Sequence, residues 1–258
     1  MKKKIAWVIM GAICLLILLF IGSVINSFTG NPIMKLVAAN KIKTYVKETY
    51  GSMDLELSEV AYNFKIGGYY AIASSKTSED THFEVTYVKG NVSDYYKYDV
   101  PTMWNTFQRL DEEYRNKVEP IIADNMPYQF DMIIGGLDKE GSYGDGKLSL
   151  DIAFDLGNMP LSQYVTVYVY AENLSWDNVA KMALELDALL MANGFTIDQY
   201  DVILEKPAGE EDKPKESLGV YEFPRKLLSS DNLPKVMEEH QRKWELEGEK
   251  IKNEEKNS

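Results

Sequence analysis

The chain has 258 residues, with 28 Lys+Arg against 40 Asp+Glu, a formal net charge of −12, two histidines and one cysteine. Such an acidic balance excludes nucleic acid as a partner, because that affinity rests on cations neutralising phosphate. A single cysteine excludes an internal disulfide, and His82 and His240, far apart in sequence, leave no plausible zinc set.

The first segment, MKKKIAWVIMGAICLLILLFIGSVIN, carries no charge from Ile5 to Ile25. At about 1.5 Å per residue this run spans roughly 31 Å, the thickness of a hydrocarbon core. A cleaved secretory signal has an apolar region of about 7–15 residues before a small-residue cleavage site. Ser23 behind Ile21 offers such a site, but the run is longer, and a retained transmembrane anchor is the preferred reading. Cys14 follows Ile13 rather than the small residue that lipoprotein processing needs, so it fills the span. Lys2, Lys3 and Lys4 precede the span and the next cation is Lys35. The positive-inside rule therefore places the N-terminus in the cytoplasm and the remainder outside. That remainder, after the leading lysines, has a net charge of about −15, which disfavours electrostatic attraction to an anionic bilayer.

Residues 27–126 read as a first α+β module, starting close to the membrane because Asn26 to Gly30 is a short spacer. Asn31 and Pro32 look like a helix cap and first helical position, opening a helix to about Thr49. Alternation from Leu55 to Phe64 predicts a strand, Gly67-Gly68 a hairpin turn, and Tyr69 to Ser74 its return. Further strands are expected around Phe83 to Tyr87 and Val92 to Tyr98. A helix opening at Pro101, kinked or restarted at Pro120, closes the module. Its element order is similar to PepSY-like and cystatin-like folds, a likeness that does not fix function.

Residues 127–206 read as a second α+β module. Tyr128 to Ile134 and Leu148 to Leu156 alternate as a hairpin would. The acidic loop between them offers Asp138, Glu140 and Asp145 to calcium, but the helix-loop-helix pattern fails at Tyr143 and Ser149, and Asp145-Gly146 is a strong turn signal. QYVTVYVYA, from Gln163, reads as a central strand, Ser175 to Asn193 as a capped helix, and Phe195 to Glu205 as a returning strand. Residues 207–258 form a Pro-rich charged linker and a C-terminal helical tail, with Leu233, Val236, Met237, His240, Trp244 and Ile251 on one face. The tail either packs at home or docks on a partner.

No nucleotide-binding, serine-hydrolase or zinc-protease signature occurs, and no cofactor is expected. Asp151 and Asp155 lie roughly 13 Å apart along a strand, too far for a glycosidase pair at about 5–9.5 Å. Asp111, Glu112 and Glu113 fan around a helix as solvated charges do. His82 is expected on the polar face opposite Phe83 and Val85, as a surface residue. The positive lead is aromatic: Tyr69, Tyr70, Tyr95 and Tyr96, with Tyr98, gather near Gly67-Gly68 and the sheet end. There they serve either as half-buried strand residues or as a binding surface.

The stretch TGNPIMKLVAANKIKTYVKETY with VAYNFKIGGYYAIASSKTSEDTHFEVTY, and later WDNVAKMALELDALLMANGFTIDQYDVILEKP and YEFP, resembles the YfjL-like family of single-pass membrane proteins of Gram-positive bacteria over nearly the whole chain. The resemblance implies no catalytic residue. The expected function is a membrane-anchored extracytoplasmic binding module that engages a membrane-proximal protein, peptide or wall polymer. The alternative is an extracytoplasmic hydrolase using acidic residues.

Overall fold

A computed structural model describes residues 2–138, 146–207 and 216–255. The chain divides into two compact units, Met1–Thr106 and Phe107–Ser258.

The first unit begins with helix α1, Lys2–Thr29. Among the described residues it supplies the one stretch long and apolar enough to cross a membrane, and that stretch is not buried against the protein. Gly30 ends it at φ +73, with the Tyr62 ring so close that a Cβ there would lie 2.6 Å from it. Only glycine meets both demands. Helix α2, Pro32–Thr49, follows as its cap predicts: Asn31 Oδ1 accepts from the N–H of Ile33 at 2.8 Å and of Met34 at 3.3 Å. Ala38, Ile42 and Val46, four residues apart, form its buried stripe.

The antiparallel sheet below α2 comprises β1 (Leu55–Leu57), β2 (Ala61–Asn63), β3 (Gly68–Ser75), β4 (His82–Val88) and β5 (Asn91–Asp94). The single strand expected from Leu55 to Phe64 is interrupted. Both halves pair with β3, and between them Ser58 exchanges hydrogen bonds with Ile72, its hydroxyl accepting and its N–H donating. The strand expected to reach Tyr98 stops at Asp94, whose carboxylate accepts from Tyr96 N–H at 2.9 Å and opens the short helix α3, Tyr96–Asp99. Tyr69, Ala71, Ala73, Phe83, Val85 and Tyr87 face α2 and make the core.

Helix α4, Trp104–Asn125, starts three residues after Pro101 and runs through Pro120. The expected module boundary lies at 126/127, and the compact units divide at 106/107. From Phe107 onward this helix belongs to the second unit, because Tyr114, Val118 and Ile122 are fully buried there. Val118 fills the space over Gly135 so closely that a Cβ on that glycine would sit 2.0 Å from it. Tyr114 meets Phe195 edge-on at 5.7 Å. Asp111 is not a solvated charge: its carboxylate accepts from Leu137 N–H at 2.8 Å and from Arg115 at 2.6 Å.

The second sheet has the order β6 (Phe130–Leu137), β7 (Gln163–Tyr170), β8 (Gln199–Glu205), β9 (Ser217–Pro224). β7 and β8 are parallel through helix α5, Trp176–Ala192, and the outer pairs are antiparallel. The strand expected at Leu148 to Leu156 does not form, so Asp151 and Asp155 do not share a strand face. Asp151 takes φ +59, Asp155 caps a 3₁₀ turn at Leu156–Asn158, and the backbone bond at Ile152 O comes from the Arg109 guanidinium at 2.8 Å. Phe154 lies under Lys117 of α4 at 5.5 Å, Leu148 is buried, and Leu150 is exposed. Glu140 and Asp145 of the calcium reading, and 208–215 of the expected linker, lie outside the described residues.

The C-terminal region is no separate appendage. β9 completes the sheet, and α6, Leu233–Glu255, packs on β9 and α5 with Met237 fully buried. Gln241 accepts from Tyr221 N–H at 3.1 Å, and Trp244 stacks on Tyr221 at 5.0 Å. The helix thus docks at home as far as Trp244.

Candidate functional site

The sheet separates the tyrosines that the sequence groups together. Tyr69 lies on the α2 side and is 6% exposed; its hydroxyl accepts from Asn31 N–H at 2.7 Å and donates to Asn31 O at 2.8 Å. Tyr70, the next residue along the strand, points to the opposite face. Tyr96 is a core residue, its ring 5.0 Å from Tyr50 and 5.2 Å from Phe83. Tyr95 is half exposed, with Tyr98 beside it at 6.5 Å. Tyr95 N–H bonds Glu84 O, three residues along β4 from Tyr87, which places it roughly 10 Å from the level of Tyr69. These residues do not form one surface.

Tyr69 does contribute to a different constellation. A groove of about 290 Å³ is lined by Gly30, Asn31, Met34, Tyr62, Gly67, Tyr69, Tyr87, Lys89 and Gly90. Each element has a local reason to be there. The Asn31 cap turns the chain between α1 and α2. The β2–β3 hairpin presents Tyr62, packed on Tyr69 at 5.1 Å. Lys89 at φ +49 and Gly90 at φ +90 make a two-residue turn between Val88 and Asn91, with the positive φ values of a primed hairpin. Among the described residues the lining is aromatic and small, with one cation and no carboxylate. It resembles a recognition surface more than a proton-transfer site.

Acidic chemistry sits elsewhere. Glu84 lies on the face opposite Tyr87, and burial, then the neighbouring Asp99, pushes its carboxyl above the usual range. Asp99 is raised by burial, with Asp94 adding to it and His82 opposing it. His82 is exposed as expected, Nδ1 against Glu79 O at 3.0 Å. His240 lies against Tyr221 O at 3.0 Å and edge-on to Phe223. Among the described residues, no group of three or more His, Cys, Asp or Glu side chains converges as a metal would need.

A second aromatic surface was missed by the sequence reading. On β7, Tyr164, Thr166, Tyr168 and Tyr170 share the face opposite the buried Val165, Val167 and Val169. Thr166 donates to Asp201 at 2.6 Å, and Tyr221 is held up in pKa by burial and by its bond with Tyr168. The period-2 tyrosine pattern was visible in QYVTVYVYA but reads as uniformly apolar when Tyr counts with Val.

Fold and surface define a two-unit α+β protein whose apolar N-terminal helix is long enough to cross a membrane. Residues 1–100 match the model of the YfjL-like N-terminal domain and residues 113–238 that of the YfjL-like C-terminal domain. The chain belongs to the YfjL-like family, and the gap between the matches contains the division at Thr106/Phe107. Comparison with curated proteins and with solved structures gives no match.

Proposed function

We propose that this chain is a membrane-anchored protein, its N-terminus cytoplasmic and both units on the outer side, that acts by binding a membrane-proximal protein, peptide or wall polymer. The observation that supports this is the tyrosine-lined groove without carboxylates, immediately beyond the end of α1. Lys2 to Lys4 support the orientation through the positive-inside rule. The first unit's helix over an antiparallel sheet keeps its likeness in element order to PepSY-like and cystatin-like modules, which fits binding without specifying the ligand.

A photo-crosslinking lysine analogue at position 89, in intact cells, tests the reading. Adducts absent from a control at Thr77, and lost when Met34→Glu places a charge in the groove, support it. Identical adducts at both positions overturn it. Protease added to protoplasts should digest the portion after Asn26 and spare an N-terminal tag; a protected C-terminus reverses the orientation.

The hydrolase reading has one observation in its favour, the raised neighbouring carboxyls of Glu84 and Asp99. Turnover of a wall or peptide substrate, abolished by Glu84→Gln in a folded protein, would establish it in place of binding.

A further inference from the structure

Between Gly30 and Thr106 the exposed large hydrophobic residues are Ile33, Met34, Leu36, Phe64, Ile66, Tyr95 and Tyr98. The two tyrosines carry hydroxyls. The other five occupy just two short segments: the first turn of α2 and the tip of the β2–β3 hairpin. Their exposure is high, 71% for Ile33, 68% for Leu36 and 55% for Phe64. The two segments adjoin, Met34 lining one groove with Tyr62 and Gly67, and exposed apolar residues gathered in this way mark a contact with something other than water.

Both segments are fixed to the end of α1. Helix α2 begins three residues after Thr29. The Phe64 ring lies 5.7 Å from that of Phe28 in the last turn of α1, and Tyr62 closes over Gly30. Taking Ile5 to Ile25 as the hydrocarbon span, Phe28 stands only about 4.5 Å past its end along the helix axis. That is the depth of the headgroup boundary, and the hairpin tip shares it through Phe64.

The opposite end of the same sheet is the internal comparison. Strand β3 carries the chain roughly 23 Å from the hairpin to Ser75. There Lys76 bridges Asp54 at 3.1 Å and Glu56 at 3.6 Å, and Thr77 is exposed. Of the five apolar residues none lies there; the exposed Tyr95 and Tyr98 stand between the two ends, Tyr95 at the level of Glu84 and Ile72. At the anchor end lysines stand among the apolar residues, as Ile33-Met34-Lys35-Leu36 and Phe64-Lys65-Ile66, and Lys35 bridges Glu59 at 2.6 Å. A lysine beside apolar surface lays its aliphatic stem on it and keeps its ammonium with a polar partner or water.

We propose that the first turn of α2 and the β2–β3 tip are seated in the interfacial layer of the lipid bilayer around the exit of α1. The first unit then rides on the membrane surface, and its tyrosine-lined groove, bounded by Gly30, Asn31, Met34 and Gly67, opens at headgroup level. The contact is apolar insertion, so the protein's net negative charge does not oppose it. This inference rests on reading α1 as a membrane span.

The test uses the full chain in phosphatidylcholine vesicles, with Cys14→Ser removing the native thiol and an environment-sensitive fluorophore on single cysteines at Leu36, Ile66, Thr77 or Ile17. Shallow nitroxide lipids should quench positions 36 and 66 several-fold more than 77, with blue-shifted emission that persists in high salt. Circular dichroism confirms that each variant is folded, and the two reporting positions lie on separate segments, so one poorly tolerated substitution does not decide the result. Positions 36 and 66 behaving like 77, while deep nitroxides quench 17, overturn the seating alone. Quenching at 36 and 66 that disappears in high salt also overturns it, since the contact would then be ionic. An unquenched position 17 overturns the anchor reading and the seating with it.

Discussion

The two units solve the covering of a sheet differently. In the first, one helix lies over one face of an antiparallel sheet, and a rim of apolar residues is left exposed beside α1. In the second, α4 and α5 share one face of a mixed sheet, and polar groups are drawn inside, several of them with charged partners. Asp187 there accepts from Tyr200 OH at 2.8 Å and Arg225 Nε at 2.5 Å. Burial, with the bond its OH donates to Glu185, pushes the Tyr128 phenol up to about 12. The second unit has the traits of a framework, and the first those of a surface built to contact something.

The largest expected effects test whether the two are independent bodies. Leu186 in α5 and Ile42 in α2 are both fully buried, and Leu186→Ala or Ile42→Ala should each cost about 2–5 kcal/mol. Hydrogen exchange should localise the damage, to β7 and β8 for the first and to β3 and β4 for the second. Loss of protection in both sheets from either substitution would show one cooperative body and erase the comparison.

Features coded by neighbouring residues were legible in the sequence. The Asn31-Pro32 cap, the Gly67-Gly68 hairpin, and the Ser175 start and Asn193-Gly194 stop of α5 each depend on backbone groups within four residues, and each stands where it was read. Features that depend on distant partners were not. The alternation from Leu148 to Leu156 looks like a strand, but its backbone bond at Ile152 O comes from Arg109 of α4, 43 residues back, and Asp151 turns the chain at φ +59. The apolar stripe of α4 is correct, yet a stripe does not say which sheet it covers. β9 is defined by its partner, since it exists by pairing antiparallel along the edge of β8. For the site, grouping by sequence does not give the faces: Tyr69 and Tyr70 are neighbours in sequence and back to back in the sheet.

Tyrosines sharpen the comparison at the level of about 1 kcal/mol. Tyr200→Phe removes the hydroxyl that Asp187 accepts and should cost about 1 kcal/mol. Tyr114, also fully buried, has a hydroxyl without a hydrogen-bond partner among the described residues, and burial raises its pKa. Tyr114→Phe should therefore be neutral or slightly stabilising in urea titration. In the first unit, Tyr69→Phe should cost about 1 kcal/mol, since its hydroxyl bonds both Asn31 backbone groups, whereas the exposed Tyr98→Ser should stay within about 0.5 kcal/mol. A large loss from Tyr98→Ser would mean that the first unit hides a contact like those of the second.

The smallest effect concerns the acidic face of the first sheet. Burial and neighbouring carboxylates raise Glu84 and Asp99, so the folded state holds protons more tightly than the unfolded chain at these positions. With more protons bound in the folded state, stability falls as pH rises from the ordinary carboxylate range, near 4, through the raised folded values. Above those values the penalty is complete and constant. Glu84→Gln removes one of the two groups and Asp99→Asn relieves the other, so each variant should show a shallower decline over this window. Each should be slightly more stable than wild type at neutral pH, by about 0.5 kcal/mol or less. Urea titrations at closely spaced pH values, with the wild type run in parallel, measure the difference. An unchanged slope would mean that the two carboxyls are solvated like those at the Lys76 end of the sheet. A steeper slope would mean that their ionised forms are stabilised in the fold, removing the one observation that favours acid chemistry on this face.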